Sequence, residues 1–120
     1  MQEGVLTTMS YHNADMVVNR YNVMGPVKAA LAASVHYMSA ELGPKGIRLF
    51  AVSPGPLKTR AASGIAHFDE LVAMAKERAP AQRLVDTAEV GRVVAFLVGG
   101  ASSGMTGDTI YVDGGLHNMA

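Results

Sequence analysis

A long run of helical periodicity, set between two short apolar runs, most constrains the fold of this chain. Through residues 22–42 the apolar side chains recur every three or four positions, which predicts one long helix. The flanking runs, residues 5–9 and 47–52, are short and rich in β-branched side chains, as are strands buried in a parallel sheet. Two such strands joined by a helix favour a parallel crossover unit.

The second half of the chain continues the same alternation. Residues 60–78 are rich in alanine and broken at Gly64, which predicts a short helix and then a longer one. Thr87 is the predicted N-cap of a helix that runs to about Val98. Residues 109–112 read as a third strand, closed by an Asp-Gly-Gly turn. We therefore expect an α/β fold of three parallel strands, with ligands bound beyond their carboxyl ends.

Composition narrows the class of protein. The 120 residues fit one domain, and ten basic side chains balance ten acidic ones, so nothing points to a nucleic acid or an acidic membrane surface. Cysteine is absent, which removes disulfides and thiolate metal sites and fits a reducing cytoplasm. The four histidines lack ligand spacing, so no metal is expected. No apolar run has membrane-spanning length and no leader is evident, so we expect a soluble cytoplasmic protein.

The segment before and within the first turns of the long helix carries candidate acid–base chemistry. Tyr21 precedes Lys28 by seven residues, almost two helical turns, so the two lie on one face if the helix begins at Tyr21. Side chains lean toward the helix N-terminus, which directs the Lys28 stem back toward the phenol. A phenol with an ammonium group behind it can donate to an oxygen that gains negative charge. From spacing alone, a chance coincidence of the two residues is the favoured interpretation.

The loop after the second strand is the other candidate. Pro54 and Pro56 fix the backbone on either side of Gly55, a residue with no Cβ, and such a rigid bare backbone suits close approach to a flat ring. Thr59 stands near a predicted helix start, where free N–H groups can hold phosphate. An ordinary Pro-Gly turn is the alternative. The chain has no Gly-x-Gly dinucleotide fingerprint.

These residues together resemble a known family. Tyr11, the run Tyr-Asn-Val-Met-Gly at 21–25 and Lys28 are similar to the active-site segment of the NADH-dependent enoyl-acyl carrier protein reductases. That family is a divergent branch of the short-chain dehydrogenase/reductases. Residues 53–65 and 106–115 resemble its later motifs, in the right order. Common short-chain dehydrogenases place lysine four residues after tyrosine, where this chain has Gly25.

The resemblance implies a role for each candidate residue. Tyr21 would hydrogen-bond the thioester carbonyl of an enoyl group on acyl carrier protein, while Lys28 would bind the nicotinamide ribose of NADH; with Tyr11 they form the implied catalytic set. Cofactor contacts would come from Lys28, Gly55, Pro56, Leu57 and Thr59. Substrate contacts would come from Tyr11, Met24, Ala61, Ile65 and Phe68. Residues 60–78 would cover the substrate as a lid, and the helix at 22–42 would join subunits of a homotetramer.

The resemblance also implies that the chain is the C-terminal part of a Rossmann-like, doubly wound parallel sheet. The Gly-rich nucleotide loop and first strands of the family are absent from the sequence, which leads us to expect a fragment or truncated product whose apolar strand at 5–9 forms an exposed edge. Two alternatives stay open: a non-catalytic half-domain, and another short-chain reductase with a different substrate.

Overall fold

A computed structural model describes residues 3–11, 23–57 and 68–119 of the chain. Its strands are β1 (Gly4–Met9), β2 (Ile47–Pro54) and β3 (Asp108–Val112), and its helices are α1 (Met24–Leu42), α2 (Phe68–Arg78) and α3 (Thr87–Val98). The strand order is β1-β2-β3, and both pairs are parallel. This confirms the predicted α/β class and the predicted crossover connections.

The core lies on the two faces of β2, the central strand. Residues 49–56 of β2 and its exit are all buried, as the near-continuous apolar run predicts. One face of the strand packs on α1 and the other on α3. The α1 side holds Val35, Leu49 and Ala51, and the α3 side holds Phe50, Val52, Val85, Val90 and Leu97.

The strand β2 ends two residues later than the sequence predicts. Ser53 pairs with Tyr111 and Pro54 with Val112 of β3, so the expected loop begins inside the sheet. A proline fits here because successive residues of β2 direct their backbone groups alternately toward β1 and toward β3. Val52 faces β1, and its carbonyl accepts a hydrogen bond from Ser10 N at 2.7 Å. The position of Pro54 faces that same side, beyond the end of β1, so its missing N–H breaks no ladder bond.

The helix α1 ends at Leu42 as predicted but begins at Met24, two residues after the predicted start, with Val23 as its N-cap. The condition set for Tyr21 and Lys28, a helix that begins at Tyr21, is therefore not met by α1. Pro26 lies in the first turn, where a missing N–H is tolerated. A short 3-10 turn, Gly43–Lys45, follows the helix, and Gly46 closes it with φ of 79°. Within α1, which is described throughout, Val35 is the one buried residue. The helix therefore keeps much apolar surface in solvent, with Tyr37 81% exposed.

The helix α3 is capped by Asp86, so the prediction that Thr87 is the N-cap is wrong by one residue. The Asp86 carboxylate accepts from Glu89 N at 2.8 Å, and the Glu89 carboxylate accepts from Asp86 N at 3.1 Å. This reciprocal capping box satisfies two free N–H groups at once, which the Thr87 hydroxyl does not. Arg83 donates to both Glu89 oxygens, each at 2.8 Å, and holds the box from outside.

An arginine at the start of β2 ties the central strand to the connection between α3 and β3. The Arg48 guanidinium donates to a cluster of backbone carbonyls at the end of α3 and in the following turn. These acceptors are the carbonyls of Leu97, Gly99, Ser102 and Met105, at 2.6–3.3 Å. Positive charge at a helix C-terminus is favourable because it meets the negative end of the helix dipole. Arg48 thereby fixes the connection between α3 and β3 against the amino end of β2.

The strand β1 forms an edge of the described sheet and leaves apolar side chains in solvent. Leu6 is 49% and Met9 42% exposed, although both belong to an apolar strand of the kind that is normally buried. This confirms the expected apolar edge. A flat apolar edge pairs readily with another strand. Among the described helices, none has the length and apolarity needed to cross a membrane.

The capping box predicts a pH dependence of stability. The hydrogen bond from Arg83, and then that from the Asp86 N–H, lower the pKa of Glu89 from 4.5 to about 2. A lowered pKa in the folded state gives stability that is present above 4.5 and is lost as the pH falls toward 2. Glu89→Gln removes this contribution, so its melting temperature should fall less steeply on acidification than that of the parent chain.

Thermal unfolding followed by circular dichroism between about pH 6 and about pH 3 measures the difference in slope. Glu77→Gln, at an exposed position of α2, is the matched control, and its melting temperature should fall on acidification as steeply as that of the parent. Equal slopes for Glu89→Gln and the parent would contradict the role of Glu89.

Candidate active site

The carboxyl ends of the three strands gather most of the described candidate residues at one edge of the sheet. Ser10 and Tyr11 follow β1, Gly55 and Leu57 follow β2, and Asp113 follows β3. Because the strands are parallel, their carboxyl ends meet at the same edge, which is where ligands bind in open α/β sheets. The candidate site is therefore one edge with contributions from all three strands.

Lys28 reaches this edge from α1. Its Nζ donates to the backbone carbonyl of Met9 at 3.0 Å, and the side chain is half-buried. The stem thus extends back toward the helix N-terminus and over the end of β1, as the lean of helical side chains predicts. The ammonium group lies beside the strand end that leads into Ser10 and Tyr11. A positive charge is therefore held at the carboxyl edge of the sheet, while Tyr21, its predicted partner, lies outside the described residues.

Two buried hydroxyls, which sequence reasoning missed, lie at the same edge. Ser10 is 4% and Ser53 1% exposed, and neither Oγ has a hydrogen-bond partner within the described ranges. The two residues neighbour each other across the strands, because Ser10 N donates to Val52 O. A buried polar group without a partner costs about 1–3 kcal/mol, which a bound water or ligand can offset. The sequence pattern that could have indicated them is a serine directly after each of two apolar runs, at Ser10 and Ser53.

The Pro54–Pro56 segment is buried throughout and leads out of the core at Leu57. The half-buried Leu57 side chain packs against the cluster around Phe50 on the α3 side, so the residue turns its side chain inward. Gly55 N donates to Val112 O at 3.1 Å. A Cβ on Gly55 would lie 3.3 Å from the Asp113 Cβ. The structure thus gives Gly55 a packing role against the end of β3.

The end of β3 is organised around a buried carboxylate. Asp113 accepts hydrogen bonds from Gly115 N and His117 N, both at 3.0 Å, and its oxygens lie 3.0 and 3.1 Å from His117 Nδ1. The His117 ring stacks on Tyr111, with centroids 3.7 Å apart and planes at 10°. The spacing of the four histidines indicates no common site, and the position of Asp113 in the sequence predicts only a turn. Only the fold brings these groups together.

The structure places the remaining candidates only in part. Met24 is the first residue of α1 and is 40% exposed, while Phe68 is the first residue of α2 and is half-buried. The helix α2 is the second part of the predicted lid. The candidates Tyr21, Thr59, Ala61 and Ile65 lie outside the described residues.

An open groove at the opposite, amino edge of the sheet does not coincide with these candidates. It has a volume of about 650 Å³ and is lined by Glu3, Arg48, Gly99 and Thr106 among others. The Arg48 guanidinium there is already bonded to backbone carbonyls. Among the described residues no group of three or more His, Asp or Glu side chains is arranged to hold a metal ion.

A family model described as enoyl-(acyl carrier protein) reductase matches residues 1–117. The chain is 43% identical over 114 residues to the NADPH-dependent enoyl-[acyl-carrier-protein] reductase FabI of Staphylococcus aureus. That match covers 95% of this chain and 44% of the relative. It is also 42% identical over 117 residues to the NADH-dependent FabI of Bacillus subtilis. That match covers 98% of this chain and 45% of the relative. The chain thus spans less than half the length of these relatives.

Solved structures agree. The chain superposes on the Bacillus cereus enoyl-acyl carrier protein reductase, crystallised with NADP+ and indole naphthyridinone, with a TM-score of 0.94 and 41% identity. That match covers 98% of this chain and 46% of the other. It also superposes on the Anaplasma phagocytophilum reductase in complex with NAD, with a TM-score of 0.90 and 36% identity, over 98% of this chain and 43% of the other. The three described strands and their helices are therefore part of this family's Rossmann-like domain.

The packing of Gly55 against Asp113 predicts a stability effect that sequence pattern alone does not. Gly55→Ala should lower the free energy of unfolding by about 1 kcal/mol or more, because the new methyl group overpacks a buried contact. Gly91→Ala is the matched control, since it lies within α3 with nothing near its Cβ position. It should raise stability by roughly 0.5–1 kcal/mol. Urea unfolding measures both, and a Gly55→Ala chain as stable as the parent would contradict the packing.

Proposed function

Because this chain belongs to the enoyl-(acyl carrier protein) reductase family, we propose that it forms the nicotinamide- and acyl-binding part of such an enzyme. The reaction is reduction of the trans-2 double bond of enoyl thioesters carried on acyl carrier protein, a step of fatty acid biosynthesis. The observation that carries the proposal is the Lys28 ammonium held over the end of β1, 3.0 Å from the carbonyl oxygen of Met9, which precedes Tyr11 by two residues.

The carboxyl edge fits the nicotinamide half of NADH. Ser10 and Ser53 leave buried hydroxyls there without partners among described residues, and the chain leaves the core at Leu57 after the buried segment 54–56. We assign Gly55, Pro56 and Leu57 to the nicotinamide ring, Lys28 to the ribose hydroxyls, and Thr59, outside the described residues, to phosphate. NADH bound there supplies the hydride. Relatives named for NADH and for NADPH both match, so the fold accommodates either nucleotide.

Tyr21 and Lys28 do the acid–base work in this proposal. The Tyr21 phenol donates a hydrogen bond to the thioester carbonyl oxygen and stabilises the negative charge that the oxygen gains during reduction. Phenols ordinarily titrate near ~10, so the donor is protonated at neutral pH. Lys28 adds a positive charge beside that phenol in this proposal, and a nearby positive charge favours the negative charge that develops.

The acyl chain takes the apolar side of the site. Tyr11 and Met24 border it at the ends of β1 and α1, and Phe68 borders it at the start of α2. Ala61 and Ile65, outside the described residues, complete the wall, and residues 60–78 serve as the lid. The described part of that lid, α2, is amphipathic and buries Ala75.

Assembly follows from surfaces that the described fold leaves apolar. The β1 edge pairs with a further strand of the same doubly wound sheet, which the family's longer members supply. The face of α1 that carries Val27 and Met38 packs on another subunit, and a homotetramer is the assembly that the resemblance to the family implies. We place the enzyme in the cytoplasm, which suits a chain without cysteine.

Substitution of Tyr21 and Lys28 should separate chemistry from cofactor binding. The chain is joined to the N-terminal half of the Bacillus subtilis relative, and enoyl reduction and NADH affinity are measured. Tyr21→Phe should lower kcat by ~100-fold or more while NADH affinity stays nearly constant. Lys28→Ala should weaken NADH binding by about 10-fold or more, because charged hydrogen bonds are lost.

Each variant has a control on α1 or just beyond it. Tyr37→Phe removes an exposed phenol, and Lys45→Ala removes an exposed ammonium, so both should behave like the parent enzyme. If Tyr21→Phe reduces crotonyl or longer enoyl thioesters at the parent rate, the donor role is wrong.

The exposed β1 edge predicts the behaviour of the 120-residue chain made alone. It should associate, bind NADH weakly and show no enoyl reduction, and a separately made N-terminal half should restore part of both activities. Leu6→Lys should reduce association, because a charge blunts a strand edge. Val98→Lys, equally exposed on α3, is the control and should leave association unchanged.

Light scattering, calorimetry with NADH and an NADH-oxidation assay measure these outcomes. Tight NADH binding by a soluble monomer of the chain alone would contradict the need for the complementing strands.

A further inference from the structure

We propose that Asp113 is a positioning residue whose turn holds two parts of the site at once: the backbone around Gly55 and the C-terminal end of α2. This deepens the proposed function and rests on it, since Gly55–Leu57 is the segment assigned to nicotinamide and α2 is the described part of the lid. The inference comes from contacts at the end of β3 that the reductase chemistry itself does not use.

The first link joins the turn to the cofactor segment. Gly55 N donates to Val112 O at 3.1 Å, so the residue before Asp113 fixes the backbone at Gly55. The Asp113 Cβ lies where a Gly55 Cβ would come within 3.3 Å of it. A hydrogen bond therefore holds Gly55 on one side, and on the other side Asp113 fills the space that a side chain would need. Movement of Asp113 would release both restraints on the segment that leads to Leu57.

The second link is the internal bonding that makes the turn rigid. The Asp113 side chain is 3% exposed and gathers three donors from the next four residues: Gly115 N, His117 N and the His117 ring. Tyr111 of β3 stacks on the face of the same ring, while Asp113 bonds to the nitrogen at its edge. All of these groups belong to this chain, and they occupy both carboxylate oxygens. Asp113 therefore acts on the site through the backbone that it fixes.

The third link joins the turn to the end of α2. Ala81 N donates to Gly114 O at 3.0 Å. Gly115 has φ of 90°, and a Cβ there would lie 2.9 Å from Pro80 Cγ, so only glycine allows the turn to approach this closely. Leu116 is buried against Ala75 and Ala79 at the end of α2. The turn thus anchors this end of α2, while Phe68 begins the opposite end of the helix.

The geometry makes one turn a common support for cofactor and lid. A site must hold its contacts to within about half an ångström, and such precision comes from supporting residues whose own positions are fixed. Asp113 supplies that support on the β3 side. Its loss should therefore loosen two separate segments, and should weaken NADH binding more than it slows the chemical step.

Amide hydrogen exchange on the chain, joined to the N-terminal half used above, tests the structural part. Asp113→Ala should speed exchange by ~10-fold or more at Gly55, at Leu57 and through residues 68–82, while α1 stays at the parent rate. Asp113→Asn keeps one acceptor oxygen and should restore part of the protection. Asp108→Ala, at the exposed start of the same strand, is the matched control and should change neither segment.

Gly115→Ala provides a directional test that does not remove the carboxylate. Its methyl group would displace Pro80, so exchange should speed in residues 68–82 while Gly55 keeps its protection. Faster exchange confined to residues 113–119 in Asp113→Ala would overturn the proposal. Equal acceleration across the whole chain in both Asp113 variants and Gly115→Ala would also overturn it, because the turn would then be an ordinary part of the core.

Steady-state kinetics on the same joined protein tests the functional part. Asp113→Asn should raise the KM for NADH by about 10-fold and lower kcat by less than that. An unchanged KM for NADH beside faster exchange at Gly55 would overturn the positioning role. Absence of enoyl reduction in the parent would instead contradict the proposed function and leave the exchange result to decide on the turn.

Discussion

Burial of β2 is the constraint on which the rest of the structure depends. The strand is central in the described sheet, and its two faces form separate clusters with α1 and α3. Truncation of Phe50, which is fully buried, would cost about 3–5 kcal/mol by the usual large-to-small penalty. Because β2 is held along its whole length, its carboxyl end leaves the core as a fixed and buried segment. The position of this segment therefore sets the geometry of the candidate site.

The two edges of the sheet have different tasks. At the amino edge, Arg48 meets the carbonyls at the end of α3 and closes the structure, so positive charge there is already used. At the carboxyl edge, Lys28 holds its charge over the end of β1, and the buried hydroxyls of Ser10 and Ser53 have no partner among described residues. This asymmetry supports an active site at the carboxyl edge.

The order and type of the elements could be predicted from the sequence because they follow from local periodicity. The helix at 24–42 and the strand at 4–9 are examples, each found within two residues of its predicted bounds. Errors arose where a competing local bond decided the outcome. Asp86 takes the cap from Thr87 because Glu89 stands three residues after it, and β2 continues to Pro54 because β3 pairs beyond the end of β1.

The site was predictable to a smaller degree, and for a different reason. Lys28 could be placed from helix geometry, but the roles of Tyr11 and Leu57 came from resemblance to a family and not from spacing. Asp113 and the serine pair depend on contacts between strands, which no local pattern encodes. The local sequence around Gly55 predicted a backbone open to a ligand. The residue that leaves no room for a Cβ there, Asp113, lies at the end of another strand.

The central claim is that nicotinamide binds at the carboxyl edge, between Lys28 and the exit of β2. NMR shift mapping with NAD+ on the chain joined to a complementing N-terminal half tests it most directly. The account predicts the largest shifts at the Leu57 amide and the Lys28 Nζ group. Shifts confined to the amino-edge groove, at Gly99 and Gly104, would contradict it.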